Sequence, residues 1–184
     1  MDAVVAEGFE AGGHNGREET TTLCLVPSVR KSIQIPLIAA GGIANGASML
    51  ATMVLGAEGV QIGSRFVCTP EASSHINFKN RIVEANEGDT ELVLKKITPV
   101  RLLKNDFYSQ VKNAENDCVD TNTLSEILGR ARAKKGMFEG DMVEGELEIG
   151  QISALIDDIT PAGIVVNSIW SEFNSLLQAF QGIY

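Results

Sequence analysis

The feature that most constrains this chain is a pattern used more than once: a short apolar run that ends in a glycine-rich turn. Ala3 to Glu7 (AVVAE) is β-branched and nearly unbroken in apolar character, and it runs into GFEAGGHNG. That is how a strand buried on both faces enters a loop. Pro36 opens IPLIAAGGIANG, where a strand starts on its permitted residue and stops at Gly41-Gly42. Gly59 to Phe66 (GVQIGSRF) repeats strand into turn. Between these runs lie two helical patterns. Thr21 to Ser32 has Leu23, Val26 and Val29 at helical spacing, with Thr20 or Thr21 as candidate N-caps and Pro27 expected near the first turn. Ala47 to Leu55 is made of good helix formers, with Gly56 at the C′ position. Strand, loop and helix in this alternation predict β/α units and a parallel sheet. The compact repeat from Leu37 to Val60 fits a (β/α) barrel better than a sandwich. A whole barrel takes about 250 residues and eight units, and only three clear strands are legible here.

Composition narrows the partners. The chain has 184 residues, 15 basic and 24 acidic side chains, a net charge of −9 and 44% hydrophobic residues. An acidic surface repels phosphate backbones and anionic lipid, so nucleic acid and membrane are not expected partners. The N-terminal stretch lacks the charged and apolar regions of a signal peptide, and no apolar run is long enough to span a bilayer. Cys24, Cys68 and Cys118 are scattered and odd in number, which predicts neither a disulfide framework nor a zinc site. A cytoplasmic location is the expectation.

After Phe66 the chain turns polar and helical in pattern. Glu71 to Asn86 places Ile76, Ile82 and Val83 on one stripe, and Leu124 to Lys135 places Leu124, Ile127, Leu128 and Ala131 on another. Met137 to Gly150 is acidic and glycine-punctuated, an ordered loop or lid, and Ile164 to Phe180 is a closing helix. The expected organisation is residues 1–70 as β/α units with binding loops and residues 71–184 as a mainly helical region that completes and covers them.

Two glycine turns on consecutive units are the main chemical signal. In β/α barrels such loops, with the start of a short helix, grip phosphate. Gly41, Gly42 and Gly63 lack a Cβ, so main-chain N–H groups can approach phosphate oxygens, and Ser64 adds a hydroxyl. The plainer alternative is that the paired glycines only permit a close turn. The second signal is EAGGHNG, where His14 stands between small residues on a loop that follows a strand. An imidazole there can exchange a proton near neutral pH, or can simply bond a main-chain carbonyl. His75 reads as structural, with Ser73 or Ser74 as the helix cap. Arg65 and Arg101 are candidate anion partners, although a lone arginine more often pairs with a carboxylate or snorkels. No metal-ligand spacing, GxSxG or P-loop motif is present.

Taken together, AEGFEAGGHNG, IPLIAAGGIANG and GAEGVQIGSRF resemble the nitronate monooxygenase (2-nitropropane dioxygenase) family, which includes the flavin-dependent enoyl-ACP reductase II. The resemblance extends more loosely through HINFK, TPVRLLKNDF and GQISALI. It implies the C-terminal part of a TIM barrel holding FMN, with the phosphate held by Gly41, Gly42, Gly63 and Ser64 and the flavin bordered by Ala11, Gly12 and Ala40. The family more often carries threonine at the position of Ser64, and both offer a hydroxyl. His14 matches the family's active-site histidine. The implied activity is oxidation of nitronates or nitroalkanes with oxygen. Two alternatives are FMN-dependent enoyl-ACP reduction, with NAD(P)H as electron donor, and an inactive phosphate-binding fragment. An inosine-monophosphate-dehydrogenase-like barrel is disfavoured, because Cys68 lies past the strand end and reads as a small buried residue. Relatives carry about five further strands ahead of the segment that begins here. The expectation is therefore a truncated chain that needs the other half of the barrel, or an oligomer partner, and by itself holds FMN weakly or not at all.

Overall fold

A computed structural model of the chain describes residues 1–181. The first part runs β1 (Val4–Glu7), a two-residue strand β2 (Gly13–His14), α1 (Thr22–Arg30), β3 (Leu37–Ala40), α2 (Gly46–Val54), β4 (Gly59–Gln61) and a short α3 (Ser64–Val67). β1, β3 and β4 form a parallel sheet in the order β1-β3-β4, with Ala6 opposite Ala39 and Ala39 opposite Val60. This is the C-terminal part of a TIM barrel: parallel strands, each handed to the next by a helix on the same face. Ala6, Val26, Leu37, Ala39, Ile43 and Ala57 bury together between the sheet and that helical layer. The opposite face is open among the described residues. Val5 is 47% exposed there, with the exposed Glu7 and Gln61 beside it.

The helices start for local reasons. At α2, Asn45 and Ser48 form a reciprocal capping box, with the Ser48 N–H donating to Asn45 Oδ1 at 3.0 Å and the Asn45 N–H donating to Ser48 Oγ at 3.1 Å. Gly56 closes the same helix at φ +110°. At α1 the cap residue is Thr21, but its side chain makes no capping bond. The Glu10 carboxylate does the work instead, taking the Thr22 N–H at 2.9 Å and the Thr22 hydroxyl at 2.9 Å. Pro27 lies inside α1 rather than in its first turn. The helix tolerates it there without the N–H that would close the turn.

The second part runs α4 (Ile76–Val83), β5 (Thr90–Val93), β6 (Val100–Leu103), α5 (Asp106–Asn116), α6 (Thr121–Leu128), a π-helical turn at Lys134–Phe138, a 3-10 turn at Gln151–Leu155 and α7 (Ala162–Gln181). The expected C-terminal region reaches 184, so its last residues, 182–184, lie outside the described residues. The closing helix is present as α7. Three expectations need correction. His75 itself caps α4, its Nδ1 accepting from the Asn77 N–H at 3.1 Å, while Ser74 bonds back to Val67 O. Ile76 is 53% exposed, and the buried stripe of α4 is Phe78 and Ile82. The helix expected over Leu124 to Lys135 ends at Leu128, because Gly129 (φ +63°) and Ala131 (φ +61°) are both left-handed.

The β5–β6 hairpin is an unexpected element. It recruits β2 into an antiparallel sheet of order β2-β6-β5, with His14 opposite Val100. α7 packs on α2, where Glu172 Oε2 accepts the Gly46 N–H at 2.8 Å. A Cβ on Gly46 would stand 2.6 Å from Ile169 O, so only glycine allows that approach.

Candidate active site

The turns after β1, β3 and β4 meet at the C-terminal end of the parallel sheet and, with Met137 and the segment around residues 148–152, line a cavity of about 220 Å³. Ala11, Gly12, Ala40, Gly41, Gly42, Gly63 and Ser64 all line it. Gly41 and Gly42 are left-handed, at φ +80° and +71°. A Cβ on Gly41 would stand 2.8 Å from Gly8 O, and the Gly8 N–H donates to Ala40 O at 2.9 Å. The turn after β3 is thereby locked to the turn after β1. Gly63 differs: its φ is −101°, and an added Cβ would meet nothing within 4 Å. Its missing side chain leaves open space at the cavity wall and answers to no conformational need.

Among the described residues, no backbone acceptor meets the N–H groups of Gly41, Gly42, Gly63 or Ser64. All four residues line one hollow, so their main-chain donors are available to an anionic oxygen group. Ser64 Oγ accepts the Gly150 N–H at 3.0 Å, which uses a lone pair and leaves the hydroxyl proton free to donate.

His14 is exposed on β2 and does not line the cavity. Its loop is fixed by Asn15, whose Nδ2 donates to Ala11 O at 2.9 Å and to Gly13 O at 3.2 Å. Glu148 lies against Gly13. It lines the cavity, and a Cβ on Gly13 would be 2.5 Å from its Oε2. Burial raises the Glu148 carboxyl above its ordinary value, and the nearby His14 pulls it partly back. The residues with free donors, the cavity they line and the imidazole beside it coincide with the motifs that carry the resemblance.

The nitronate monooxygenase family model matches residues 1–172. The chain belongs to that family. Among nitronate monooxygenase relatives, a "Probable nitronate monooxygenase" of Staphylococcus saprophyticus is 38% identical over 183 residues, which is 92% of this chain and 50% of that protein. One from Staphylococcus aureus is 34% identical, over 97% of this chain and 52% of its own length. Of the solved structures, FabK from Thermotoga maritima superposes with a TM-score of 0.93 at 38% identity, covering all of this chain (100%) and 58% of that one. The nitroalkane oxidase of Streptomyces ansochromogenes gives 0.78 at 30% identity, covering 98% and 54%. The chain spans about half the length of the curated nitronate monooxygenases it matches.

The remaining candidates have structural roles. Arg65 pairs with Asp158. Arg101, only 1% exposed, donates from Nη2 to Phe9 O at 2.9 Å and lies 4.4 Å over the Phe9 ring. Cys68 is fully buried, and burial pushes its thiol up to about 11, so it is no nucleophile. Among the described residues no cluster of ligating side chains could hold a metal ion, and no helix is long and apolar enough to cross a membrane. Met137 to Gly150 is ordered: Leu147 and Ile149 sit in a core with Phe78 and Ile82, and Leu102 bridges to Glu148. Glu146, which is buried, and Glu148, which lines the cavity, are the carboxylates that motif reading passed over. The alternation Glu-Leu-Glu-Ile was their available signal, since it reads as an extended segment with two distinct faces.

Proposed function

We propose that this chain is the cofactor-gripping part of an FMN-dependent oxidoreductase that oxidises nitronates or nitroalkanes with oxygen. The observation that carries the reading is that four residues from two turns, whose main-chain N–H groups have no backbone partner among the described residues, line the same cavity as Ala11, Gly12 and Ala40. The donor set suits a phosphate: it is neutral, made of backbone and one hydroxyl, and it leaves the room at Gly63 that a Cβ would fill. Gly41, Gly42, Gly63 and Ser64 would hold the phosphate, with Ala11, Gly12 and Ala40 beside the ring system. Bound FMN would supply the two-electron step that side chains cannot. His14, exposed on the second sheet, would serve as the proton acceptor. Residues 1–70 make the grip, and residues 71–184 cover it and carry Glu148.

The test is FMN titration followed by flavin fluorescence, then oxygen uptake with propyl nitronate. Alone, the chain is expected to hold FMN weakly; supplying the half of a relative that it does not match should restore flavin absorbance and oxygen uptake. Flavin binding without oxygen uptake, but with NADH oxidation on adding an enoyl thioester, would assign the reductase reaction instead. No flavin binding in either arrangement would overturn the reading.

A further inference from the structure

Arg101 anchors Phe9, and that structural role leaves part of its side chain unused. It is 1% exposed, with Nε and Nη2 donating to Phe9 O at 3.2 and 2.9 Å and Nη1 donating to Thr90 Oγ1 at 3.3 Å. A guanidinium carries five N–H groups, so both terminal nitrogens keep a donor without an acceptor among the described residues. Glu10, Glu19 and Glu91 act on its charge without forming an ion pair, because each is engaged elsewhere: Glu10 with the start of α1, Glu19 with Lys95 and Glu91 with Lys112. A buried cation without a carboxylate is costly unless another anion meets it.

Arg101 lines a groove of about 500 Å³ beside β5, the outer strand of the antiparallel sheet. The groove shares no lining residue with the cavity at the glycine turns. Lys95, Lys96 and Lys112 line it too, against Glu91 and Glu115, in a chain whose net charge is −9. Lys95 and Lys112 are neutralised by the pairs just named, and Glu115 Oε1 accepts the Lys95 main-chain N–H at 3.2 Å. Lys96 is exposed, and its ammonium donates to Val119 O at 2.8 Å without pairing with a carboxylate among the described residues. Two cations without an acidic partner thus share the groove with the Thr90 hydroxyl and the exposed Gln151 amide. Those donors outnumber the oxygens of a carboxylate, whereas a phosphate monoester brings three acceptor oxygens and a charge of about −2. The groove is also much larger than a phosphate group, and the half-buried Phe9 ring gives it an apolar wall.

We infer that this groove binds a phosphate monoester of a small organic molecule, with the phosphate on Arg101 and Lys96 and the organic part along Phe9. The site needs no flavin, so it stands or falls apart from the oxidoreductase reading. The test is a titration of the chain with phenyl phosphate, followed in nitrogen–proton amide NMR spectra. Saturable shifts at residues 90–96 and at Phe9 are expected, with inorganic phosphate binding more weakly because it leaves the Phe9 wall unused. Lys96→Gln should weaken binding about tenfold, whereas Lys31→Gln, which removes the same charge at the end of α1, should change it little. Arg101→Lys keeps the charge but loses the fork and should weaken binding at least as far. If that variant fails to fold, Lys96→Gln still decides, since Lys96 is exposed and holds a single main-chain carbonyl. Absence of saturation, or equal losses in the Lys96 and Lys31 variants, would overturn the site. Shifts confined to Gly41, Gly42, Gly63 and Ser64 would place the phosphate at the glycine turns and do the same. Inorganic phosphate binding as tightly as phenyl phosphate would overturn the choice of an ester.

Discussion

Glu146 is only 7% exposed, and burial, reinforced by Glu148 and opposed by Arg132, pushes its carboxyl up from 4.5 to about 7. Between those values the folded protein binds more protons than the unfolded chain, so stability is full at low pH and falls as pH rises through the window, by at most ~1.4 kcal/mol per unit. Glu146→Gln should flatten that slope and, at about pH 8, exceed the native protein by on the order of 1 to 3 kcal/mol in urea unfolding. Gly41→Ala forces a Cβ into a left-handed turn 2.8 Å from Gly8 O. It should cost about 1–3 kcal/mol and, in the chain supplied with the other half of a relative, abolish FMN retention in equilibrium dialysis, whereas Ser64→Ala should only weaken retention. The glycine turns at Gly41-Gly42 and Gly63 were legible because turn chemistry is local: the pattern alone marks where main chain will be bared. Glu146 and Glu148 were not, because a carboxylate's burial depends on the bridge to Leu102 and on packing against Gly13, neither of which is written in the neighbouring residues.

Helices and strands were legible to different degrees, and the reason lies in who supplies their ends. α2 carries its own capping box and its own closing glycine, so its limits follow from its sequence. α1 borrows Glu10 from the preceding loop, and α4 is capped by His75 where serines seemed the better residues. The β5–β6 hairpin escaped notice because β6 buries all four of its residues, Arg101 included, and so lacks the alternation that marks a half-buried strand. The α2–α7 junction is another borrowed end: the Glu172 carboxylate reaches the Gly46 N–H at 2.8 Å. Glu172→Ala should lower stability by about 1 kcal/mol, measured by urea unfolding. A substitution at Gly46 should cost more, since a Cβ there meets the α7 backbone.

At the scale of the molecule, three parallel strands with a helical layer on one side were legible from the apolar runs and their spacing, and so was the shortfall from a full barrel. In the order β1-β3-β4 both outer strands have an unpaired side among the described residues, and Val5 looks outward from the bare face. Such edges favour self-association. Val5→Lys should reduce concentration-dependent light scattering of the chain without lowering its urea midpoint, and unaltered scattering would show that association runs through another surface. The two sheets also divide the labour. The glycine cradle is mounted on the parallel sheet, whereas the imidazole rides on the antiparallel one, joined to it through the few residues between β1 and β2. On the proposed function, the grip on the cofactor and the placing of the imidazole thus rest on different sheets, and loosening the hairpin is expected to slow turnover more than it weakens flavin retention.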